Sequence, residues 1–95
     1  MGLLFEWDQD KASSNEAKHG ISFDEAQTVF ADPLASTIYD PDHSDDEDRY
    51  LSLGMSGRSR ILVVSFTDRD DRIRIISARV ASRKERKQYE EANET

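Results

Sequence analysis

Residues 49–80 read RYLSLGMSGRSRILVVSFTDRDDRIRIISARV, and their pattern decides the fold class. Leu51, Leu53 and Met55 alternate with small or polar residues over Tyr50–Met55, which predicts a strand with one buried face. After the turn signal at Ser56 and Gly57, Ile61 to Phe66 is almost continuously apolar, as expected of a central strand covered on both sides. Asp68 to Asp71 turns the chain again, and Ile73 to Val80 gives the last strand. Connections this short join antiparallel neighbours, so the segment predicts a β-meander.

The flanking sequence adds helices. Leu3, Leu4, Phe5 and Trp7 form a short apolar first strand, with Trp7 assigned to the core. Asp8 is placed to cap a helix over Gln9 to Lys18, and Gly20 sits at the expected left-handed C-cap. Ser22 with Glu25 reads as a capping box opening a second helix, whose Phe23, Ala26 and Phe30 lie at helical spacing until Asp32 and Pro33 end it. Leu34 to Tyr39 reads as another strand. Ser82 with Glu85 forms a second capping box, for a C-terminal helix reaching about Glu91 and fraying over Ala92 to Thr95. The expectation is one α+β domain over residues 1–95: an antiparallel sheet of four to five strands, two N-terminal helices and one C-terminal helix.

Composition narrows the function. The chain has 95 residues, 36% hydrophobic and 35% charged, and no cysteine, which removes disulfides, thiolate nucleophiles and cysteine zinc sites. No run approaches the roughly 20 apolar residues of a membrane span, and Met1 to Trp7 lacks the character of a signal peptide, so a cytoplasmic location without membrane contact is expected. The net charge of −7 conceals an asymmetry: residues 1–48 carry 2 Lys and 13 acids (−11), and residues 49–95 carry 11 Lys or Arg and 7 acids (+4). Between Arg58 and Lys87 stand 10 basic residues against 4 acids, enough for a phosphate-binding face on an acidic protein. Asp40 to Asp48 (DPDHSDDED) holds six acids and no apolar residue, and reads as an exposed loop suited to a basic partner. Its alternating Asp40, Asp42, Ser44 and Asp46 lack the glycine and glutamate of a calcium loop, so no metal site is assigned.

Several local words, in order along the chain, carry a family resemblance: Phe5-Glu6-Trp7-Asp8, Asn15 with Lys18-His19-Gly20, Ser22-Phe23 with Glu25-Ala26, Asp32-Pro33, and Asp42-His43-Ser44. Glu47 with Arg49, Gly54, Ile73 through Arg79, and Glu85-Arg86 with Tyr89 complete the set. The sequence resembles the BrnT toxins. That resemblance implies a RelE-like fold and ribonuclease activity that arrests translation. It also implies a BrnA-like ribbon-helix-helix antitoxin that forms a complex with the toxin, which a heterotetramer would fit, and that contacts operator DNA on the toxin's behalf.

Metal-free RNA cleavage, which needs no cofactor, requires a base for the 2′-hydroxyl proton, a cationic clamp for the phosphorane, and an acid for the leaving 5′-oxygen. Arg79 is the first candidate clamp, because its guanidinium binds two phosphate oxygens at once and Ile73, Ile75 and Ser77 share its strand parity. The competing role is an ion pair with a carboxylate such as Glu6. Arg69, in the turn, is the second candidate, weighed equally against a solvated turn cation. By the same parity Arg72 and Arg74 lie on the opposite face, where they extend an RNA track together with Arg86 or line a solvated surface. Arg58 and Arg60, flanking a hairpin, read as solubility charges. His19 and Lys18, at a helix end, suit proton transfer and phosphate contact, or simply complement the helix dipole. Tyr89 shares a helix face with Glu85 and Arg86, as a base-stacking or proton-donating group or as an anchor of the helix on the sheet. His43, inside the acidic loop, is given no catalytic role. Two further readings stay open: a non-enzymatic interaction module, or an inactive toxin kept for antitoxin-linked transcriptional regulation.

Overall fold

The computed structural model describes residues 3–93, so Glu94 and Thr95 of the expected frayed end lie outside it. Five strands, β1 (Leu4–Glu6), β2 (Ser36–Tyr39), β3 (Arg49–Met55), β4 (Ile61–Arg69) and β5 (Arg72–Val80), form one sheet in the order β1-β5-β4-β3-β2. Strands β2 to β5 are antiparallel neighbours, the meander expected from residues 49–80 preceded by one more strand. The outer strand differs from the expectation. Leu4, Phe5 and Glu6 run parallel to Arg72, Ile73 and Arg74, which makes the sheet mixed rather than antiparallel. Two helices separate β1 from β2, which frees β1 to join the far edge beside the last strand.

Helices α1 (Gln9–His19) and α2 (Phe23–Gln27) cover one face of the sheet, and α3 (Arg83–Ala92) crosses the other. Asp8 caps α1 by accepting from the amides of Asp10 and Lys11, and Gly20 ends it with φ +72°, a value that glycine adopts without Cβ strain. The core lies between α1, α2 and the sheet, where Ile21, Phe23, Ala26 and Val29 pack on Leu62, Val64, Ile75 and Ala78. Trp7 stands edge-on to Phe23 at 5.9 Å, at the rim of this core rather than inside it. The second helix is shorter than its hydrophobic period suggests, since after Gln27 the chain tightens into a 3₁₀ turn over Thr28–Ala31. Gly54 is a packing requirement: a Cβ there would stand 2.8 Å from the Ala35 Cβ and 2.9 Å from a Val29 methyl.

α1 is almost wholly polar and is held chiefly by one side chain. Buried Asn15 donates its amide to the Ala78 and Ile21 carbonyls, at 2.8 and 3.0 Å, and accepts from the Ala78 amide at 3.1 Å. Because β1 pairs with β5 only as far as Arg74, the edge of β5 beyond it lacks a neighbouring strand, and Asn15 supplies those bonds at Ala78.

The two capping boxes part ways. At α3 the exchange is complete, with Ser82 and Glu85 bonding each other's backbone amides. At α2, Ser22 accepts from the Glu25 amide, but the Glu25 carboxylate turns inward to the Ser56 hydroxyl and the Arg60 guanidinium. Arg60 is therefore a structural ion-pair partner rather than the solubility charge its hairpin position suggested. Its hydrogen bonds are the largest influence holding the Glu25 carboxyl below the usual carboxylate range.

Candidate functional site

A β-bulge in β5 organises the surface. Val63 pairs with Arg79 and Ser65 with Ser77, but Phe66 pairs with Ile75 and Thr67 with Arg74, so Ile76 is the extra residue. Directly paired residues project to the same side of a sheet. The bulge thus restores Arg74, with Arg72 before it, to the face that carries Arg79. Parity counted through the bulge had put them on opposite faces, and that assignment is corrected. Arg69 lies not in a turn but at the end of β4, opposite Arg72 and on the same face. Ile75 and Ala78 take the core side.

The result is an open sheet face on which Arg69, Arg72, Arg74 and Arg79 all stand, with Arg49 of β3 beside Thr67. Helix α3 lies toward the β2–β3 side of the face, where Glu85, Gln88, Tyr89 and Ala92 border a hollow of about 380 Å³ with Ser36, Leu51, Leu53 and Val63. Three carboxylates hold the guanidiniums in place. Glu6 accepts from Arg74 at 2.8 Å and lies 3.7 Å from Arg72 and 3.8 Å from Arg69. Glu47 takes Arg69 through two bonds of 2.8 and 3.2 Å. Glu85 takes Arg79 at 2.7 and 3.0 Å, so the ion pair weighed for Arg79 exists, with Glu85 instead of Glu6. Beneath the arginines Thr67 is 1% exposed, and its hydroxyl is the one buried side-chain polar atom without a partner among the described residues.

Lys18 and His19 end α1 and, with Ser14, Asn15, Ile76 and Ser77, line a shallow hollow of about 320 Å³. Ser77 joins this hollow to the arginine face, since it stands between Arg74 and Arg79 on the bulged strand. Arg86 is exposed on α3. Tyr89 takes the anchoring role: it is 7% exposed and donates to Asp32 at 2.6 Å, while Asp32 also accepts from the Met55 and Leu34 amides. Burial, with the Asp32 bond and charge added, pushes the Tyr89 hydroxyl up to about 12, unsuited to donating a proton near neutrality. In the acidic loop His43 bonds Asp40 at 2.9 Å and lines a hollow with Glu47 and Arg49. Among the described residues no three His, Asp or Glu side chains are grouped to hold a metal ion, and no helix is long and apolar enough to cross a membrane.

A protein-family model described as "Ribonuclease toxin, BrnT, of type II toxin-antitoxin system" matches residues 7–85. The chain belongs to the BrnT family of ribonuclease toxins. The crystal structure of the Brucella abortus ribonuclease toxin BrnT is similar to it, with 26% sequence identity and a TM-score of 0.63 over 86% of this chain and 100% of that one. No curated protein sequence matches. The BrnT match accounts for an α+β domain with a five-strand sheet and three helices, and assigns the chain to enzymes that act on RNA and are paired with an antitoxin.

Sequence reasoning gave no site role to Arg49, Thr67, Asp32 or the Glu25–Arg60 pair in this BrnT chain, and it weighed Glu6, part of the Phe5-Glu6-Trp7-Asp8 word, only as an ion-pair partner of Arg79. For Glu6 a signal existed: it is the single charge inside the apolar run Leu3 to Trp7. Asp32 and the Glu25–Arg60 pair gave none, because Met55, Tyr89 and Arg60 reach their carboxylates from more than 20 residues away in sequence.

The ion pairs also set the response to acid. Arg79, followed by the Ser82 bonds, lowers the Glu85 carboxyl to about 2. At Asp32, burial works upward but is outweighed by bonds from Met55, Tyr89 and Leu34, and the net direction is down. Carboxylates depressed in the folded state stabilise it above their unfolded pKa, and that contribution is lost as pH falls through the folded value. Stability should therefore decline from roughly pH 5 toward pH 2, with Glu85 contributing on the order of 1–2 kcal/mol after solvent screening. Urea melts across this range check it, and Glu85→Gln should flatten the decline.

Proposed function

We propose that the open arginine face binds and cuts single-stranded RNA by metal-independent acid–base chemistry, leaving a 2′,3′-cyclic phosphate, and that loss of messenger RNA arrests translation. Arg79, with Arg69 behind it, stabilises charge on the phosphorane, while Arg72, Arg74 and Arg86 carry the flanking phosphates. Lys18 and His19 serve the adjoining hollow in phosphate contact and proton transfer. Tyr89 holds α3 in place.

The observation that carries this reading is the projection of Arg69, Arg72, Arg74 and Arg79 from one uncovered sheet face, where three carboxylates hold the guanidiniums in a fixed array on a chain of net charge −7. The acidic front half repels phosphate and confines RNA to that face. The toxin works in the cytoplasm, where a BrnA-like ribbon-helix-helix antitoxin neutralises it and contacts operator DNA for the complex. The acidic loop over Asp40–Asp48 offers that antitoxin a complementary surface.

Purified protein incubated with RNA and with ribosome-bound messenger, in chelator, is expected to release fragments with 2′,3′-cyclic ends, and addition of the antitoxin should stop the cleavage. Intact RNA in both settings overturns the proposal and favours a purely regulatory protein.

A further inference from the structure

Glu6 is the one carboxylate within 4 Å of three different arginines among the described residues, and its position is fixed by the parallel pairing of β1 with β5 rather than by a loop. Its two oxygens are not equivalent. Oε2 accepts the 2.8 Å bond from Arg74, whereas Oε1 accepts no hydrogen bond from any described residue and lies 3.7 Å from Arg72. One oxygen thus anchors the side chain and the other is left as an acceptor. With 26% of the side chain exposed, Glu6 is reachable from solvent yet held among cations.

Arg72 complements it. Its contacts to Glu6 and Asp71, at 3.7 and 3.5 Å, are both loose, so its guanidinium can turn to a phosphate without breaking a short bond. A carboxylate oxygen and an uncommitted guanidinium side by side on one rigid face are the parts that an attacking 2′-hydroxyl and its phosphate need.

We propose that Glu6 is the general base of the cleavage reaction, an inference that rests on the ribonuclease reading of this face. Glu6 Oε1 takes the proton of the 2′-hydroxyl as the 2′-oxygen bonds to phosphorus. The bond from phosphorus to the 5′-oxygen then breaks, and that oxygen takes a proton from solvent. The products are a 2′,3′-cyclic phosphate and a 5′-hydroxyl, and Glu6 returns its proton to water. Arg74 keeps the base aimed and, with Arg72, holds the flanking phosphates, while Arg79 and Arg69 meet the charge that builds at phosphorus.

The test uses the full chain with a short RNA in single-turnover and binding measurements. The parent must cleave; if it leaves RNA intact, the ribonuclease reading fails and takes this proposal with it. Given a cleaving parent, Glu6→Gln, which keeps the shape and removes the basicity, is expected to lose about 10²-fold or more in cleavage rate at saturating RNA with affinity nearly unchanged. Glu6→Asp should cleave faster than Glu6→Gln. Near-parental cleavage by Glu6→Gln, including the case in which it binds RNA more tightly, overturns the proposal while leaving the ribonuclease reading intact. So do equal losses in the two variants, or a loss confined to affinity. Should Glu6→Gln fail to fold, Glu6→Asp decides alone: withdrawing the base by one methylene must slow cleavage at saturating RNA, and a full-rate Asp variant overturns the assignment.

Discussion

Asn15→Ala is expected to lower stability by about 3 kcal/mol and the melting temperature by roughly 10–20 °C. The side chain makes three hydrogen bonds in a buried setting, two to Ala78 and one to the Ile21 carbonyl. Alanine would leave both carbonyls and the Ala78 amide buried without partners, and an unmet buried polar group costs roughly 1–3 kcal/mol. Little else in α1 would compensate, because Ala12 is the only other buried side chain of that helix. Leucine is no remedy, since it fills volume but bonds nothing. Aspartate loses both donors and adds a buried charge. Thermal melts followed by circular dichroism measure the effect, and a midpoint within a few degrees of the parent would show that water or a shifted helix meets those groups instead.

Arg79→Ala should reduce RNA cleavage by about 10²- to 10³-fold while the fold persists, the scale found when one group that stabilises transition-state charge is removed. The difficulty is that Arg79 also pairs with Glu85 through two bonds, so a structural role alone would produce some loss. Glu85→Gln separates the two roles. It weakens the ion pair, can still accept from the Ser82 amide, and leaves the guanidinium free for phosphate. If Arg79 acts on RNA, Glu85→Gln retains most of the cleavage that Arg79→Ala loses. If Arg79 only secures α3, the two variants lose stability and activity together. The Arg79 side chain, 44% exposed despite its partner, is accessible enough to exchange that carboxylate for phosphate. Arg79→Lys should recover only part of the rate, because a point charge cannot meet two phosphate oxygens at once.

Much of this fold was legible in the chain because its signals are local. The run Ile61 to Phe66 marks the central strand, the alternation of Leu51, Leu53 and Met55 marks its neighbour, and Ser82 with Glu85 marks the start of α3, all of which the structure contains. The ordered words from Phe5 to Tyr89 were enough to point to the BrnT family, which the family match over residues 7–85 shows. Side-chain destinations were less legible. Glu25 has the spacing of a capping box, yet its carboxylate gains more from the Arg60 guanidinium and the Ser56 hydroxyl than from the Ser22 amide. Both partners arrive from more than 30 residues away.

The sequence by itself determined where strands and helices form, that one half of the chain is basic, and that arginines crowd the last two strands, since propensity, periodicity and charge are properties of neighbours along the chain. Only the tertiary structure decided which arginines act together. One extra residue at Ile76 shifts the alternation of β5 and moves Arg72 and Arg74 to the face of Arg79, and the parallel pairing of β1 with β5 then sets Glu6 among them. Both depend on register between segments distant in sequence, and a register is fixed by the packing of the whole sheet on its core.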